Sequence, residues 1–175
     1  MAPATSPISL FLLLSLAIMA SSVATTEKQT HLHFYMHDDY SGPNPSAIKV
    51  VSGPASNQSG PRHFGDMVVL DNLLTEGPDP ASKPVGRAQG FGARVSHNGL
   101  VSQLCLTVVL EEGEHKGSTI TAVGRIPIDL PVREYPVVGG SGHFRLARGY
   151  VSSRSYEYNL ATGGIIEIDM FVMHY

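Results

Sequence analysis

The chain has 175 residues and a formal net charge of −3 from 12 basic and 15 acidic side chains. The basic residues are scattered, so no stripe of the kind that follows a nucleic-acid backbone is present. One cysteine, no tryptophan, 18 glycines and 12 prolines exclude an intrachain disulfide and suit many short strands and turns better than long helices.

The first 24 residues carry no charged side chain, and ISLFLLLSLAIMA (Ile8 to Ala20) is followed by the small residues SSVA. This pattern reads as a secretory signal peptide over 1–24, cut near Ala24. The apolar run is shorter than the roughly 20 residues a membrane-spanning helix needs. The expectation is a single exported domain over 25–175, with no membrane partner, long enough to bury a core without staples.

Along that domain, apolar alternation predicts strands near 31–37, 46–51, 64–71, 85–95, 101–110, 118–126, 142–151 and 164–174. Breaker clusters (GPNPS, SGPASNQSGP, EGPDPASKP) separate them, and Asn98-Gly99 is a hairpin signal. No window of 12 residues carries a helical period.

The first strand begins HLHFYMHDD. Residues two apart share a face, so His31, His33, Tyr35 and His37 line one side. A His-x-His pair can ligate a metal, but no third ligand follows at a set spacing. The reading is therefore no metal, with a solvated or interfacial histidine face. Leu32, Phe34, Met36 and Asp38 share the other side. Three apolar neighbours predict that this side is buried, which would desolvate Asp38 and make it a general acid. A turn-capping role for Asp38 into YSGPNP is the alternative.

Asn57 opens a glycosylation sequon, Asn57-Gln58-Ser59, within a Gly/Ser/Pro loop. Cys105, inside LCLTVVL, reads as a buried structural thiol. Gly139 to His143 (GGSGH) lacks the closing glycine of a serine elbow and reads as a turn into HFRLARGYV. Arg133, in LPVREYPVVGG, is open to two readings: a barrel ion pair, or an anchor for a phenol or carboxylate. Arg148 reads as structural, on a face shared with Phe144, Leu146 and Tyr150. No cofactor motif is present.

Strands 104–110 and 164–174 are apolar on both faces, which predicts cover on both. With little helix to supply it, the second layer is expected to be another subunit. About eight antiparallel strands closing into a barrel would also remove exposed edges. The predicted architecture is an eight-stranded antiparallel barrel that oligomerises through its outer wall, with a sandwich as the alternative.

Six segments in order (FYMHDDYSGPNP, FGDMVVLDNLL, KPVGRAQGF, EHKGSTIT, REYPVVGGSGHFRLARGY and MFVMHY) resemble the plant dirigent proteins, over about 31–175. The resemblance implies an allene-oxide-cyclase-like eight-stranded barrel, exported to the apoplast, assembled as a trimer or in some cases a dimer. It implies a role without a cofactor of its own: steering the coupling of phenoxy radicals, such as those of coniferyl alcohol, in lignan and phenylpropanoid biosynthesis. The radicals come from a laccase or peroxidase partner. Some relatives instead close rings through a quinone methide, and a non-catalytic defence role in binding phenolics is a third implication. Asp38 and Arg133 match the family's catalytic pocket acid and pocket arginine, with Phe34 and Met36 beside Asp38. A second acid of lignan-forming members falls at Ile126, in VGRIPID, where no acid stands. The cysteine pair of many such members is also missing.

Overall fold

The computed structural model describes residues 26–54 and 60–175. The expected signal peptide and the sequon at Asn57 lie outside these residues. Among the described residues nine strands form: β1 (Lys28–Asp39), β2 (Ala47–Val51), β3 (Met67–Thr75), β4 (Pro84–Arg94), β5 (Val101–Leu110), β6 (Thr119–Pro127), β7 (Arg133–Ser141), β8 (Arg148–Asn159) and β9 (Gly163–His174). They pair antiparallel in the order β1-β9-β8-β7-β6-β5-β4-β3-β2.

The sheet closes because β3 is shared. Its first half, Met67 to Leu70, pairs with β2, and Leu73 to Thr75 pair with β1. Strands β1 and β2 thus occupy one position in succession, and the ring has eight positions. A closed ring leaves no long unpaired edge, so the sandwich alternative does not hold.

Strand β7 is absent from the sequence expectation because LPVREYPVVGG carries two prolines. Pro136 pairs with Tyr150 of β8, while the β6 ladder stops at Val137 after a bulge. A proline lacks an N–H and is tolerated where a ladder ends. The expected strand 142–151 is likewise corrected. Gly142–Phe144 is a 3-10 turn, Leu146 has φ +60°, and β8 begins only at Arg148. Arg148 faces outward and pairs with Glu27 at 2.6 Å.

The interior has two zones. One end is packed solid by Phe34, Leu74, Val108, Ile120, Phe144 and Val172, each at most 1% exposed. Burying each such side chain stabilises the fold by roughly 1.5–3 kcal/mol. At the other end small residues take inward positions, among them Gly92 and Ser102, and a cavity of about 390 Å³ opens. Cys105 is only half-buried, on the outer wall. There it sits in a lateral row with Val69, Phe91 and Val123 on neighbouring strands.

Candidate active site

The alternation of β1 places Phe34, Met36 and Asp38 inside and His31, His33, Tyr35 and His37 outside. Asp38 is 6% exposed and lines the cavity. Its neighbour Asp39 is the turn residue, accepting hydrogen bonds from the Ser41 backbone and hydroxyl at 2.8 Å each. Asp39 thus caps the turn, and Asp38 faces the cavity.

Asp38 has two donors. Asn72 Nδ2 donates to Oδ1 at 3.1 Å, and the Tyr158 hydroxyl donates to Oδ2 at 2.5 Å. Asn72 is itself fixed by the Ser46 hydroxyl at 2.7 Å. Tyr158 reaches Asp38 through a gap. Gly164 of β9 pairs with Asp38 on one side and with Tyr158 on the other, and it puts no side chain between them. A bulge between Ser155 and Glu157 reverses the alternation of β8, leaving Tyr156 exposed and turning Tyr158 inward.

Burial pushes the Asp38 carboxyl above the ordinary aspartate value, and the Tyr158 and Asn72 hydrogen bonds recover only part of the shift. A carboxyl so placed holds its proton where an exposed aspartate has lost it. Tyr158 is also pushed up, first by burial and then by the Asp38 charge, so it stays a neutral donor.

A second group lines the cavity. Arg62 Nε donates to the Leu160 carbonyl at 2.9 Å, and its Nη2 donates to the Tyr158 hydroxyl at 2.9 Å. Its guanidinium also lies 4.6 Å from the centre of the Tyr40 ring, a cation–π contact. Arg62 thus ties the segment after β2 to the segment after β8 and touches the group that holds Asp38.

Arg133 lies in the same cavity. It is 4% exposed, its Nη1 donates to Ser155 Oγ at 3.0 Å, and its Nη2 is buried without an acceptor. Ile126 lines the wall as well, so the position of the second acid is aliphatic. The other cavity carboxylate, Asp66, accepts from the backbone N–H groups of Gly53 and His63 and pairs with Lys49 at 2.9 Å. Burial opposes its ionisation, but these donors outweigh burial and hold it at about 2. Asp66 is a permanent anion that braces a loop.

Of the residues expected at the site, Asp38, Met36, Ile126 and Arg133 meet at the cavity. Phe34 does not, which corrects its assignment to a substrate pocket. It faces inward, but four residues back along β1 it is roughly 13 Å further down the barrel, inside the solid core. Arg62, Arg94, Tyr40 and Tyr158 were not anticipated. Arg94 alone had a legible signal, since alternation from Ala88 through Gly90 and Gly92 carries it inward.

The histidine face is on the outer wall. Asp169 Oδ1 meets His31 Nε2 at 2.8 Å and His33 Nδ1 at 3.0 Å, and His31 stacks on Phe171. His33, Glu167 and Asp169 bring possible ligand atoms within 4.8 Å of one another. Arg154 already forks Glu167 at 2.6 and 2.8 Å, so the cluster's charge is matched from within the chain.

The dirigent-like protein family model matches residues 29–173. Dirigent protein 1 of Arabidopsis thaliana is 40% identical over 173 residues, covering 95% of this chain and 94% of that protein. Pterocarpan synthase 1 of Glycyrrhiza echinata is 42% identical over 151 residues, covering 85% and 80%. The solved structure of a pterocarpan synthase dirigent protein superposes with a TM-score of 0.80 at 41% identity, covering 87% of this chain and 88% of that one. With the barrel, the inward aspartate and the cavity arginine in place, these matches make the chain a member of the dirigent-like protein family.

Proposed function

We propose that this dirigent-type protein closes a ring on a phenolic substrate through a quinone methide, with Asp38 as the acid. The observation that carries this reading is a single buried carboxyl of raised pKa, held by Tyr158 and Asn72 in a largely apolar cavity. The similarity to pterocarpan synthases supports it. So does Ile126, an aliphatic residue at the position of the second acid.

The step balances without an oxidant. Asp38 gives its proton to the departing hydroxyl of an isoflavanol-like alcohol, the C–O bond breaks with its electron pair on oxygen, and water leaves. The conjugated phenol returns a proton to Asp38 and becomes the quinone-methide carbonyl. A second phenolic oxygen attacks the methide carbon, and its proton restores the first phenol. The net change is loss of one water. General acid catalysis contributes about 10²–10⁴-fold, and orientation in the cavity adds to it. Arg133 orients the phenol through its unpartnered Nη2.

A second reading keeps the same residues: control of phenoxy-radical coupling of monolignols, the radicals supplied by a laccase or peroxidase. It is favoured by Asp38 and Arg133 both lining the cavity. In that case Asp38 protonates the quinone-methide oxygen during closure. In either case the protein acts as an exported, apoplastic, glycosylated homo-oligomer, trimeric or dimeric, packed through the exposed row at Val69 and Phe91.

A chiral product screen separates the readings. Isoflavanol-like alcohols are supplied without oxidant, and coniferyl alcohol with and without laccase. Ring-closed product without oxidant supports the cyclase. Enantiomeric excess only with laccase supports coupling. Retention of ligand with no product in either arm refutes both and leaves a binding protein.

A further inference from the structure

Three arginines line the cavity, and none has a carboxylate partner. Among the described residues, Arg62, Arg94 and Arg133 form no ion pair. Arg94 is 6% exposed, and neither its Nη1 nor its Nη2 has an acceptor; Arg133 Nη2 has none either. The cavity carboxylates do not answer this charge. Asp66 is taken by Lys49 and two backbone N–H groups, and Asp38 is engaged by Asn72 and Tyr158. The surrounding phenols answer only Arg62, through the Tyr158 hydroxyl and the Tyr40 ring, and burial pushes both of them up and away from the phenolate. Around this charge the wall is aliphatic: Val68, Leu104, Leu106, Ile128 and Ile166.

Arg94 and Arg133 thus leave guanidinium N–H groups buried and unpaired around a largely apolar chamber. Burying a cation without a counterion is unfavourable, and burying one with unmade hydrogen bonds more so. Such an arrangement persists where a ligand supplies the missing charge. Arg94 responds to the burial directly: burial first, and the nearby Arg62 second, bring it down to about 10. Guanidinium forks match carboxylates in shape as well as in charge.

We propose that the cavity takes a phenolic ligand bearing a carboxylate, with the acid end toward Arg62 and Arg94 and the aromatic ring against the aliphatic wall. This rests on the reading of the cavity as the phenolic site and narrows its substrate class. A neutral ligand would leave both terminal nitrogens of Arg94 without a counter-charge.

The test is calorimetric titration of the full-length mature protein with 4-hydroxycinnamate and 4-hydroxycinnamyl alcohol, which share the phenol and differ at one carbon. The acid should bind at least tenfold more tightly. Arg94→Met should cut that preference below threefold while changing alcohol affinity by less than threefold. Its Tm should equal or exceed the parent's, because a buried unpaired charge is gone. Arg94→Lys keeps the charge without the fork and should fall between the two. Equal affinity for the two probes, or an equal loss of both in Arg94→Met, overturns the inference and leaves the cavity reading intact. Binding of neither probe overturns the cavity reading and the inference together.

Discussion

Tyr158→Phe separates the hydroxyl's roles from the ring's bulk. The hydroxyl donates to Asp38 at 2.5 Å and accepts from Arg62 at 2.9 Å. Removing it leaves a partly buried guanidinium N–H without an acceptor, which costs about 1–3 kcal/mol. In a chain of this size, about 2–4 °C of Tm is lost per kcal/mol. The effect on Asp38 has a definite sign. The Tyr158 hydrogen bond favours the carboxylate and so lowers the Asp38 pKa; its loss moves that pKa further up. If Asp38 acts as an acid, the activity lost as pH rises must therefore be lost at higher pH in the variant. The assay is ring closure against pH beside thermal unfolding of the same samples. A pH profile that stays in place or moves down, with an unchanged Tm, would refute the Arg62–Tyr158–Asp38 chain.

Asp38→Asn keeps the shape and removes the charge, but its amide nitrogen cannot accept, so one of the two bonds from Asn72 and Tyr158 is lost or reversed. Because the folded-state pKa of Asp38 is raised above 3.8, the folded state binds that proton more tightly than the unfolded state. Stability therefore falls as pH rises from 3.8 through the folded value, by about 1.4 kcal/mol per unit of separation. Urea titrations should find the stability of Asp38→Asn relative to the parent rising between pH 3 and pH 7. Asp66 has the opposite sign. Held at about 2, it contributes about 2 kcal/mol that is present above pH 3.8 and lost as pH falls through 2. Asp66→Asn should lose that amount at pH 7 by the same titration. Gly164→Ala puts a Cβ 2.1 Å from the Glu157 carbonyl oxygen at φ +152°, between Tyr158 and Asp38. It should lower Tm by more than 4 °C and reduce activity beyond the loss seen in Tyr158→Phe.

The barrel was legible because alternation is a local signal, and β1, β5 and β9 carry it without interruption. It failed where backbone chemistry broke the pattern: two prolines hid β7, and the glycine-rich turn at 139–143 hid the start of β8. The site was legible only where it lay on a regular strand. Parity put Asp38 on the apolar side of HLHFYMHDD but left a turn-capping role open, and the family resemblance made it and Arg133 site candidates. Tyr158 was hidden by a bulge that reverses its face. Arg62 was hidden because a residue between strands has no periodicity, and its partners are 96 and 98 residues away. Phe34 marks the limit of parity, which gives the face of a residue but not its depth in the barrel.

The central claim is that Asp38 closes the ring as an acid without an oxidant. The direct measurement is single-turnover conversion of an isoflavanol-like alcohol, in oxidant-free buffer, by the parent and by folded Asp38→Asn. The account predicts one enantiomer of ring-closed product from the parent and a rate at least 10²-fold lower in the variant. Equal rates, or product that forms only once laccase is added, would contradict it.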